Sequence, residues 1–213
     1  MTDRMLYRLA ALAGLVSAGI LVLNVFRRAG LVPTDAVTHA IAPWAGALAL
    51  FAVVGLYLWR RAEAGVLGIL GYGLSTAGFT GAVGVELAVQ YIFPNMPQAQ
   101  VDALVAGPAR PALVTVAGAF SLGAVLFGAA LIRAGGVPRV AAAGYLVTMA
   151  LFAWRNALPE AAVTVDGVLA ASMVVWLSLA LWRAFDDLTP SDGGPPQQLG
   201  RSAPSTGTLP NTR

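Results

Sequence analysis

Cysteine is absent from the 213 residues, which excludes disulfides, thiolate metal sites and a cysteine nucleophile. Lysine is absent too: all 13 basic residues are arginine, so Schiff-base chemistry on a lysine is excluded. The single histidine, His39, cannot build a two-histidine haem or a conventional zinc site. Charge of either sign is scarce, at 11% of residues against about 25% in soluble domains. What remains is apolar: 58% of residues are hydrophobic and the mean hydropathy is +0.74. A bilayer is crossed by about 20 apolar residues, so this length accommodates roughly six crossings and a tail. The formal charge of +3 is spread over loop arginines without a clustered basic face. Membrane lipids are therefore the expected partners, and nucleic acid is not.

Six apolar runs stand out, at Leu9–Phe26, Ile41–Trp59, Val66–Phe93, Ala112–Ile132, Val140–Trp154 and Val163–Trp182. Backbone groups in lipid must be satisfied within a helix or a closed barrel. The alternating pattern of barrel strands, about ten residues each, is missing. The expected fold is therefore all-α, a polytopic membrane bundle of six transmembrane helices. Arg4 and Arg8 before the first run resemble a signal peptide, but no small-x-small cleavage site closes it, so the helix is expected to be retained.

Arginine counts set the expected direction. With both termini cytoplasmic, the inner loops carry Arg4, Arg8, Arg60, Arg61, Arg133, Arg139 and Arg183, and the outer ones Arg27, Arg28, Arg110 and Arg155. The expected location is a bacterial plasma (inner) membrane. Residues 1–183 read as the membrane domain, and 184–213, rich in Gly, Pro, Ser, Thr and Gln, as a disordered cytoplasmic tail.

The longest connection, Pro94 to Pro111, has Val101, Leu104 and Val105 at helical spacing, which suits either a short surface helix or a loop. Arg28-Ala-Gly-Leu-Val-Pro33 is echoed by Arg133-Ala-Gly-Gly-Val-Pro138, which raises an inverted repeat of two halves. The third and fourth runs are rich in Gly and Ala. Small residues there serve a bundle core or a homodimer face.

Glu86 is the acid deepest in a run. Ser75, Phe79, Ala82, Glu86 and Gln90 recur at spacings of three and four and share one helix face. Glu86 lies about 10 Å in from Phe93 at 1.5 Å per residue. Ionised at that depth it costs on the order of 1–3 kcal/mol, so it requires a partner, a watery cavity or a proton. Asn24, Arg27, Arg28, Arg155, Asn156 and Asp166 fall at the same outer level and complete the candidate set with Gln90. Three readings follow: a structural ion pair, an outward-facing polar pocket, or a proton-carrying site. His39, in the first outer loop, reads as solvated surface. No metal cluster, cofactor motif or nucleophile elbow is present, so catalytic residues, a metal site and an enzymatic role are not expected.

Tyr7-Arg8-Leu-Ala-Ala-Leu-Ala-Gly14, Leu58-Trp-Arg-Arg-Ala-Glu-Ala-Gly-Val-Leu-Gly68 and Leu131-Ile-Arg-Ala-Gly-Gly-Val-Pro-Arg139 resemble stretches of small six-span integral membrane proteins of actinobacterial type. The likeness covers roughly residues 5–183. It implies a helical bundle of the inner membrane without an established activity, and it transfers no site residue. The expected function is binding of a lipid or small amphiphile in the polar pocket, or service as an accessory membrane subunit. The alternative is a small proton-coupled transporter using Glu86.

Overall fold

The structure is a computed structural model that describes residues 3–186; it is all-helical, with no strand among the described residues. The helices are α1 (Asp3–Arg28), α2 (Ala36–Ile41), α3 (Trp44–Leu87), α4 (Gln98–Ala106), α5 (Arg110–Ala134), α6 (Arg139–Phe152) and α7 (Glu160–Asp186). Four helical stretches are long and apolar enough to cross a membrane: Arg4–Arg28, Ala36–Asn95, Arg110–Ala134 and Glu160–Asp186. α6 is apolar but shorter.

Local chemistry explains most boundaries. Asp35 and Thr38 form a reciprocal capping box at the start of α2, with Thr38 N donating to Asp35 Oδ1 at 2.8 Å. Pro97 and Pro138 immediately precede α4 and α6, and Pro111 opens α5, where a missing N–H leaves no bond unmade. α1 stops in a Schellman turn: Leu31 N bonds Phe26 O at 2.9 Å and Gly30 N bonds Arg27 O at 3.0 Å, with Gly30 at φ 73°. The echoing Arg133-Ala134-Gly135 likewise closes α5, with Gly135 as its C-cap at φ 70°. The two echoing segments thus share a helix-stop role, with Gly30 and Gly135 both at positive φ.

The second and third apolar runs, expected as separate helices, are joined in α3. The joint is Gly65, whose φ of 57° and ψ of −153° interrupt the helix. In a straight helix Gly46 and Val83 would lie about 55 Å apart. Instead a Cβ on Gly46 would meet Val83 Cγ2 at 3.0 Å, and Tyr57 stacks on Tyr72 with ring centroids 4.4 Å apart. α3 is thus a helical hairpin, with arms at 44–64 and 66–87.

α1 packs between α3 and α7, α5 lies against α3, and α6 bridges α5 and α7, so the bundle closes into a ring. In lipid, helices associate through close packing rather than hydrophobic drive. The glycines supply it: a Cβ on Gly78 would sit 2.5 Å from Phe120 Cα, and one on Gly71 would sit 2.5 Å from Phe127 N. Gly123 presses in return on the Ser75 backbone. Small residues expected at a core or dimer face are thus consumed within one chain along α3–α5, while Gly73, Gly84 and Gly118 face open space. Large apolar side chains such as Phe51, Val66, Ile69, Leu122 and Val165 are at least half exposed around the outside. A belt of that kind matches a lipid surroundings and not water.

At one end the start of α1 and the end of α7 are tied together. Arg8 pairs with Asp186 and lies over Trp182, Arg4 reaches Asp186 at 3.5 Å, and Tyr7 stacks on Phe185. These contacts carry α7 past the boundary expected after Trp182, to Asp186. Residues 184–186 of the expected tail are therefore helical, and the rest of that tail lies outside the described residues.

Candidate functional site

The opposite end of the ring holds a cavity of about 790 Å³. Its floor is apolar, formed by Ala49, Phe79, Ala82, Phe120, Met149 and Val174, which come from α3, α5, α6 and α7. Its mouth is polar. Asn24, Arg27, Arg28, Glu86, Gln90, Arg155 and Asn156 all line it, so seven of the eight sequence candidates meet around one space.

A chain of hydrogen bonds crosses that mouth. Arg155 Nη2 donates to Glu86 Oε2 at 2.9 Å in an ion pair whose side chains are 30% and 20% exposed. Gln90 Nε2 donates to Glu86 Oε1 at 2.7 Å, one helical turn along α3. Arg27 Nη1 then makes a longer contact, 3.4 Å, to Gln90 Oε1. Both carboxylate oxygens of Glu86 are therefore engaged, and α1, α3 and the turn after α6 are joined through four side chains. Arg155 also lies over the Phe152 ring, 5.0 Å from its centroid. Asn24 donates to Ala42 O at 3.2 Å and fixes α1 to the approach of α3.

Local backbone geometry places Gln90. The helix widens into a π-turn over Ala88–Ile92, with Phe93 N bonding Ala88 O. Pro94 follows, and in a regular α-helix its ring would collide with the Gln90 carbonyl. The wider turn relieves that clash, and Gln90 is left buried at 7% exposure. π-turns recur at functional sites for this reason: they re-aim side chains.

Two placements differ from the sequence reading. Asp166 does not line the cavity; it is buried on α7 at 7% exposure, and its Oδ2 has no hydrogen-bond partner among the described residues. His39 is half-buried at the mouth, beside Thr34, and is not on open surface. The connection after α1 brings Thr34 to the cavity lining, a tertiary consequence that hydropathy does not encode.

No family model, curated protein or solved structure matches this chain.

The charge at the mouth is lopsided. Three arginines face the single carboxylate of Glu86, which Arg155 engages. Neither Arg27 nor Arg28 has a carboxylate within ion-pair distance among the described residues. The described residues hold no cluster of three or more metal-ligating side chains.

Proposed function

We propose that this chain is a six-crossing protein of the bacterial plasma membrane that holds a lipid or small amphiphile in an outward-facing cavity. The two arms of α3 count as two crossings, with α1, α5, α6 and α7 as the others. The arginine distribution supports placing the Arg8–Asp186 end in the cytoplasm and the cavity outside. α6 spans only about 21 Å at 1.5 Å per residue, less than the hydrocarbon thickness of about 30 Å. Local thinning and the flanking Arg139 and Arg155 accommodate that mismatch.

One observation carries the binding reading: a 790 Å³ space with an apolar floor and a polar rim. Small-molecule sites run to about 300–1,000 Å³ with this same division of surface. At about 30 Å³ per heavy atom, by analogy with water, it holds roughly 25 such atoms, enough for one chain and a headgroup. The engagement of Glu86 by Arg155 and Gln90 favours a fixed rim over a proton carrier.

Native mass spectrometry of the full chain, purified in mild detergent, tests this. A retained single-chain amphiphile is expected, and it should be lost in Ala82→Phe, which fills the floor. A wild-type spectrum without any such adduct refutes the reading.

A further inference from the structure

The rim is built for one sign of charge. Glu86 is the only carboxylate among the lining residues, and Arg155 takes one of its oxygens while Gln90 takes the other. Arg27 retains only the long contact to Gln90, and Arg28 is exposed beside it on the last turn of α1. His39 and Thr34 complete that side of the mouth with further polar groups. An arginine next to an apolar cavity is desolvated on one side, so a bound anion there gains more than it would in water. A cationic headgroup meets two uncompensated like charges instead.

We propose that the cavity selects a single-chain amphiphile with an anionic headgroup, phosphate or carboxylate, held by Arg27 and Arg28. Its chain runs down past Ala49, Phe79 and Phe120. The proposal rests on the amphiphile reading and adds the sign of the headgroup. Arg155 is not the anion's ligand, because Glu86 holds it; the pair shapes the rim, and the two α1 arginines do the selecting.

The test uses the full chain in mild detergent and probes that share one chain length: hexadecyl phosphate, palmitate, hexadecanol and hexadecyltrimethylammonium. Binding is read by native mass spectrometry at matched concentrations. Hexadecyl phosphate and palmitate are expected to bind at least tenfold better than hexadecanol, with the ammonium probe excluded. Arg27→Gln and Arg28→Gln should each weaken the anionic probes by roughly tenfold, the scale of one charged hydrogen bond, and leave hexadecanol unchanged. Arg61→Gln, which removes an exposed arginine that does not line the cavity, should change nothing. Equal binding of the anionic and neutral probes overturns the charge selection but keeps the amphiphile site. Binding of none of the four, by a protein that stays folded, overturns both. Inorganic phosphate that displaces hexadecyl phosphate at equal concentration reassigns the site to a free anion and overturns the proposal.

Discussion

The Glu86–Arg155 pair should couple two distant parts of the chain energetically, and its strength can be bounded in advance. Two unit charges about 4 Å apart attract by about 4 kcal/mol at an effective dielectric of 20. Desolvation and side-chain ordering remove much of that. Fully exposed pairs net about 0.2–1 kcal/mol, while removing one partner of a fully buried pair costs about 3–5 kcal/mol. With side chains 30% and 20% exposed, this pair lies between those limits, and a coupling of about 1–2 kcal/mol is expected. Glu86→Gln and Arg155→Gln are the appropriate changes, because glutamine keeps a hydrogen-bonding group and much of the packing on Phe152. A double-mutant cycle, read by equilibrium unfolding in mixed micelles, isolates the pairwise energy. The coupling should change little between low and high salt, since the pair is mostly shielded from water. A value below about 0.3 kcal/mol, or one that salt abolishes, would show that the contact is incidental and that the rim is not held by it.

Two further outcomes follow from local geometry. Gly78→Ala and Gly123→Ala should destabilise by about 1–3 kcal/mol, because each Cβ meets backbone of the facing helix. Gly73→Ala and Gly84→Ala, with nothing within 4 Å, should instead gain up to about 1 kcal/mol from helix propensity; thermal unfolding that gives all four the same sign would contradict the α3–α5 contact. The Asp35 carboxyl is held below its ordinary value of 3.8, first by the backbone N–H of Thr38 and next by the Thr38 hydroxyl. A lowered folded value means the cap contributes above that ordinary value and is lost as pH falls through the lowered one. Amide exchange in α2 should therefore accelerate in that acidic window in the wild type, and Asp35→Ala should show the faster exchange already at neutral pH.

Apolar runs and the Glu86–Gln90 spacing were legible because each is a local property of a few neighbouring residues; the Asp35–Thr38 capping box is as local but was not read from the sequence. Arg155 and Arg27 were legible only as groups at the right depth, since depth follows from counting residues along a helix. Which helices adjoin was not legible. α1 sits between α3 and α7 through contacts such as Gly14 against Ala52 and Ser178, and no sequence period reports them. The same gap explains Asp166, which has the right depth but does not line the cavity. The third run was read as unbroken to Phe93, and the π-turn over Ala88–Ile92 that buries Gln90 was not anticipated, because it depends on the packing around that side chain.

The interlock of α3 with α5 has a mechanical consequence. Backbone lies directly on backbone at Gly71, Gly78 and Gly123, so these two elements form a stiff spine with almost no play between them. Glu86 is mounted on that spine, whereas Arg27 and Arg155 belong to the other wall. The salt link therefore clamps the opposite wall to the spine and sets the gap between them at the mouth.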